Sequence, residues 1–314
     1  FISETPRFRK GVEDDRDNLF WYLDDLAAAT TADRLALHRK WDSRRPLTEF
    51  TERSEIVRRL DQRASDGSCR RARIFADGFN DVLDGTAAGV FAWDDTVYFA
   101  CIPHVWMLRD GGPDGRSAAR VSAQDGFGVR VSFSGHDLNG FALGPDGRLY
   151  GTLGDRGLNG TTQDGRKLDY RNRGLVFRME PDGSAFEVVH DGLRNPKEIA
   201  FDALGHALTV DNNSDQGDAA RVVQVIDGAD SGWEMEHQTM HTFHREVGIE
   251  VRPPSRWMDE KQWHLANLDQ PAFLLPPIAH VSSGPSGLTY HPGAGFLASE
   301  VGRFALCDYR GSAG

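Results

Sequence analysis

The chain has 314 residues, a length that closed all-β architectures reach as one unit, so a second domain is not required. A formal charge of −11 argues against a nucleic-acid backbone as partner, because phosphate binding needs clustered Lys and Arg to displace counterions. The 34 glycines and 10% aromatic residues favour short strands and tight turns over a helical bundle, and no run approaches the roughly 20 apolar residues that span a bilayer.

The first fifty-odd residues stand apart from the rest. Between Asp15 and Trp41 the residues Leu19, Tyr22, Leu23, Leu26, Leu35, Leu37 and Trp41 recur at mixed helical spacings, and Thr31 or Asp33 is placed to cap a second helix. Residues 1–58 are therefore expected to form a helical extension. After about Arg71 the pattern becomes a repeat. Gly89-Val90-Phe91-Ala92, Gly140-Phe141-Ala142-Leu143, Glu198-Ile199-Ala200-Phe201 and Gly287-Leu288-Thr289-Tyr290 lie in register, each followed by a turn and a second strand such as Thr96-Val97-Tyr98-Phe99. The steps are 51, 58 and 89 residues, against about 40 to 50 for a propeller blade. An insertion at about 233–280 absorbs the surplus of the last step.

Residues 59–314 are thus expected to form a β-propeller, because a blade cannot bury both faces alone and several must stack around an axis. The strand-like run Phe304 to Tyr309 just before the last residues, and a start at Phe1 without Met, lead us to expect a ring left incomplete in this chain. Cys69, Cys101 and Cys307 form no CxxC or CxxCH, which excludes a covalent haem or a Cys-type zinc site in this segment and predicts buried free thiols.

Propellers carry functional residues on the loops at one end of the channel. His136 precedes one inner strand, Arg194-Asn195 precedes the next, and Gly284-Pro285-Ser286 takes that place in the last. Asp155 follows His136 by one hairpin, so a carboxylate can fix the imidazole tautomer and raise its basicity. The alternative is a plain turn at Gly154-Asp155-Arg156-Gly157 beside a satisfied loop histidine. Asp211, Asn213, Asp215 and Asp218 present oxygen ligands at alternating positions, as calcium loops do, or else form a solvated acidic turn. Their mutual repulsion needs solvent, a cation or Arg221 to offset it.

The run Gly135-His136-Asp137-Leu138-Asn139-Gly140-Phe141-Ala142-Leu143-Gly144-Pro145-Asp146-Gly147-Arg148-Leu149-Tyr150, then Gly154-Asp155-Arg156-Gly157 and Gly192-Leu193-Arg194-Asn195-Pro196, resembles the soluble quinoprotein glucose and sorbosone dehydrogenases. It is more closely similar to the dehydrogenase-like propellers of large exported bacterial proteins that end in a cytochrome c module. The resemblance implies a six-bladed propeller holding pyrroloquinoline quinone (PQQ) over Ca2+. It implies His136 as general base, Asp155 as its orienting group, Arg194 and Asn195 on the quinone or substrate, and Arg310 as a further cofactor contact. A sugar or other alcohol as substrate, a cytochrome c acceptor and a periplasmic or otherwise exported location follow from the same likeness. Two positions depart from the family pattern: Gly135 replaces an Asp, and His291 a cofactor-binding Lys. A propeller that binds carbohydrate or a protein partner without catalysis is the alternative.

Overall fold

The computed structural model describes residues 1–309 apart from 9, 110, 113, 282–283 and 295–297. The chain divides into two compact units, Phe1–Leu138 with Leu158–Asp169, and Asn139–Gly157 with Tyr170–Gly314.

In the first unit, strands β1 (Ile2–Glu4), β2 (Glu55–Arg63) and β3 (Cys69–Phe79) form an antiparallel sheet. Helices α1 (Tyr22–Ala27), α2 (Thr31–Lys40) and α3 (Leu47–Thr51) lie between β1 and β2 in the chain. The first 58 residues are therefore helical only in their middle, with strands on either side. The cap of α2 falls one residue earlier than expected. Thr30 accepts from the Asp33 amide while the Asp33 carboxylate accepts from the Thr30 amide, a reciprocal capping box. Strands β4 (Val90–Trp93), β5 (Thr96–Cys101), β6 (His104–Arg109) and β7 (Ala119–Asp125) follow as an up-and-down antiparallel sheet. Val57, Phe75, Phe79, Val97, Phe99 and Leu108 form the core of this unit, excluded from water on the apolar faces of the two sheets.

The second unit repeats the pattern. Strands β8 (Leu138–Leu143), β9 (Leu149–Leu153) and, beyond a hairpin of β10 (Leu158–Thr161) and β11 (Lys167–Tyr170) that belongs to the first unit as far as Asp169, β12 (Gly174–Met179) and β13 (Glu187–Leu193) make one sheet. Strands β14 (Pro196–Phe201), β15 (Ala207–Asp211) and β16 (Arg221–Gln224) make the next. The long excursion that follows contains β17 (Ala229–Asp230), α4 (Glu236–Phe243), α5 (Arg256–Asp259) and β18 (Ala279–His280), and then the chain returns as β19 (Pro285–Tyr290) and β20 (Phe304–Asp308). β17 joins the edge of β13 in parallel, and β18 pairs with β16. β14 packs on β9 of the preceding sheet and on β19 of the following one. This is the face-to-face stacking of blades, and the fold is all-β with a propeller arrangement of sheets.

The four expected registers fall on β4, β8, β14 and β19. The cysteine expectation holds only for Cys101. Cys69 and Cys307 are exposed, because one opens the outer end of β3 and the other lies on β20, which pairs with β19 alone. Among the described residues no helix is long and apolar enough to cross a membrane.

The first unit also encloses acids. Burial pushes the Glu55 carboxyl up to about 7 and that of Asp84 up to about 6. Their folded forms keep protons that the unfolded chain releases near the ordinary values of 4.5 and 3.8. Stability from these groups is thus full at low pH and lost as pH rises through the folded values. Glu55→Gln is expected to raise the melting temperature relative to wild type by several degrees more at pH 8 than at pH 5. A difference that does not change with pH would refute this.

Candidate functional site

The site begins with strand register. β14 and β15 pair so that Pro196 faces Asp211, and β15 and β16 pair so that Asp211 faces Arg221. The Asp211 carboxylate therefore lies between the Arg194-Asn195 turn and the Arg221 side chain. It accepts from the Arg194 and Asn195 amides at 3.0 and 2.7 Å, and from Arg221 Nε and Nη2 at 3.1 and 2.9 Å. Arg221 also donates to the carbonyls of Gly192 and Ser231. Asp211 and Arg221 are buried, so this is a desolvated ion pair completed by amide donors.

Asp155 enters from the turn after β9. Its amide donates to the Arg194 carbonyl at 2.8 Å, and its Oδ2 accepts from Trp233 Nε1 at 2.9 Å. Trp233 meets Trp257 edge to face with centroids 5.0 Å apart, and the guanidinium of Arg221 lies 4.5 Å from the Trp257 ring centre. The inserted segment thus reaches back onto the loop ends of the first two sheets of this unit. Gln238 of α4 fixes Arg194 in the same way, accepting from its Nε at 2.9 Å while donating to the Ser214 carbonyl. Arg194 is only 3% exposed, and Nη2 makes a longer 3.8 Å approach to Asp215. Nη1 meets no acceptor among the described residues.

Asn195, also buried, accepts through Oδ1 from Asn139 at 3.1 Å, and Asn139 Oδ1 accepts in turn from Lys197 at 3.2 Å. Next to them, burial pushes the Glu198 carboxyl up to about 7. A Cβ on Gly140 would come within 1.9 Å of Glu198 Oε1, so a larger residue there would displace this carboxyl.

The acidic loop is held by hydrogen bonds within the protein. Of the three ways to offset its charge, Arg221 is the one used for Asp211. Asp218 accepts from the Ser214 amide and hydroxyl and from Trp257 Nε1, Asn213 donates to the Asp218 carbonyl, and Asp215 is solvated. Among the described residues no group of three or more His, Cys, Asp or Glu side chains is placed to hold a metal ion. The Asp211 and Asp218 carboxylates are thus both engaged by donors of the protein itself.

His136 belongs to the first unit. It is 6% exposed, its amide donates to the Phe133 carbonyl at 3.1 Å, and its ring meets that of Phe133 at 5.6 Å. Gly135 before it has φ +83 and open space where a side chain would stand, so the left-handed turn accounts for the glycine there. The next residue, Asp137, accepts from the Thr86 amide. His291 is buried in the second unit, and Arg310 lies outside the described residues. Sequence reasoning gave no role to Trp233, Gln238, Asn139 or Glu198. The turn Asp230-Ser231-Gly232-Trp233, where Gly232 has φ +86, is the local signal that could have marked Trp233.

A family model described as a domain of unknown function (DUF7133) matches residues 41–268, well over half of the chain. The chain belongs to this family. The matched stretch of this family member includes His136, Asp155, Arg194, Asn195 and the Asp211–Asp218 loop, and stops before His291. No curated protein matches the sequence. Among solved structures, the chain is similar to a PQQ-bound aldose sugar dehydrogenase from Streptomyces coelicolor, at 20% identity over 76% of this chain and 69% of that one, with a TM-score of 0.47. A structure described as glucose dehydrogenase matches at 18% identity over 71% of this chain and 66% of that one, TM-score 0.49. The apo soluble aldose sugar dehydrogenase of Escherichia coli matches at 15% identity over 66% of this chain and 57% of that one, TM-score 0.38. The chain spans less than two thirds of the length of the last two.

Proposed function

We propose that this chain is an oxidoreductase-type propeller that oxidises a sugar or another alcohol, with His136 as general base and Arg194 as the anion-stabilising cation. The observation that carries the reading is the buried Arg194. Its backbone and Nε are fixed by Asp211 and Gln238, while Nη1 keeps donor capacity that no described residue uses. A guanidinium held in this way is preorganised for an oxygen that gains negative charge.

That donor chemistry fits the carbonyl and carboxylate oxygens of a quinone such as PQQ. Arg194 and Asn195 would hold it, with Lys197 adding a second cation nearby. When bound, such a quinone supplies the hydride acceptor. His136 would take the hydroxyl proton of the substrate, and Arg194 would stabilise negative charge on an oxygen of the bound quinone. Asp155 is proposed as the orienting carboxylate of the base, and within its own unit it also accepts from Trp233 Nε1 and donates its amide to the Arg194 carbonyl. A cytochrome c acceptor and an exported location belong to the same proposal.

The test is dye reduction with aldoses after addition of PQQ, with and without calcium. Reduction that depends on both sugar and quinone supports the reading. Its absence, together with quinone binding unchanged in Arg194→Ala, favours the non-catalytic binding propeller.

A further inference from the structure

The loop that leads to His136 is held by carboxylates from the N-terminal segment, which precedes the part of the chain matched to the family. Asp25, at 0% exposure, accepts from the Val131 amide at 2.6 Å and from the Ser132 amide at 3.3 Å. Asp14, also buried, accepts from the Ser134 amide at 3.0 Å and from its hydroxyl at 2.9 Å. The Asp15 amide donates to the Ser132 carbonyl at 2.9 Å, and Arg130 donates to the Asp25 carbonyl. Four backbone groups of residues 131–134 are thus held by three consecutive or nearby aspartates. Ser132 has φ 47, a conformation a serine keeps only when its surroundings impose it.

The grip continues to the histidine. Arg16, paired with Asp14 at 2.6 Å, lies 4.6 Å from the centre of the Phe133 ring, whose edge-to-face partner is His136. Val131 is packed with Trp21, Leu37 and Phe50, so the loop shares the helical segment's own core. Burial and the neighbouring Asp25 push the Asp15 carboxyl well above the ordinary carboxylate range, and Trp21 donates to its Oδ1. A proton kept on Asp15 relieves the repulsion between two carboxyls buried side by side.

We infer that Asp14 and Asp25 are positioning residues for His136, which makes the N-terminal segment a clamp on the loop of the proposed base. The inference rests on the role given to His136 above, and its test reads the loop directly. In the full chain labelled with 15N, Asp25→Asn and Asp14→Asn are expected to speed amide exchange at residues 131, 132 and 134 by about tenfold. Exchange in β5 should stay as in wild type. The titration midpoint of the His136 imidazole should move by about half a unit in both variants. Ser134→Ala removes one hydroxyl donor from Asp14, and it repeats the test with a milder change if Asp25→Asn does not fold. Exchange that rises equally throughout the unit, or a His136 titration unmoved in all folded variants, overturns the clamp. A wild type without dye reduction overturns the oxidoreductase reading alone, because exchange and titration do not depend on turnover.

Discussion

Alanine at His136 is expected to lower sugar-dependent dye reduction by about 10² to 10⁴-fold, the range that a positioned proton acceptor contributes. The ring is buried against Phe133, so its removal leaves a small gap, and a modest drop in melting temperature should accompany the loss. Quinone affinity should be unchanged, since Arg194 and Asn195 are untouched. The comparison that decides is rate against binding. A variant that binds quinone as wild type does and still reduces dye at a comparable rate would remove His136 from the mechanism.

The second large effect concerns stability. Asp211→Leu leaves the Arg221 guanidinium buried beside two amides that have lost their acceptor, and breaking such a pair costs about 3 to 5 kcal/mol. For a domain of this size the melting temperature should fall by roughly 10 °C. Arg221→Met should cost less, because Asp211 keeps the Arg194 and Asn195 amides as donors. Thermal melts of the two variants give this order or contradict it. Equal losses would mean that the amide contacts contribute little and that the ion pair alone matters.

The blades were legible because period-2 apolar runs and Asp-Gly or Pro-Gly turns are local signals. The four registers therefore landed on β4, β8, β14 and β19. The loop places of His136, Arg194 and Asn195 followed from the same repeat. What stayed hidden depends on contacts between distant residues. Trp233 finds Asp155 from 78 positions away, and Asp25 finds Val131 from 106. Neither separation leaves a periodic trace. The acidic loop was ambiguous for a related reason. Alternating oxygen ligands look alike whether their charge is met by a cation or by an arginine on the neighbouring strand, and only the β15–β16 register shows that Asp211 faces Arg221. In the N-terminal stretch helical spacing was visible, but β1 is too short at three residues to carry a strand pattern of its own.

The long excursion after β16 has a use beyond holding Arg194. Its β17 lies along the outer edge of β13, and β18 lies along the outer edge of β16. Both edges would otherwise offer rows of open N–H and C=O groups to any passing strand. Anyone trimming this region to make a simpler scaffold would need to keep residues 229–230 and 279–280, or the shortened protein would gain two adhesive borders and a tendency to self-associate.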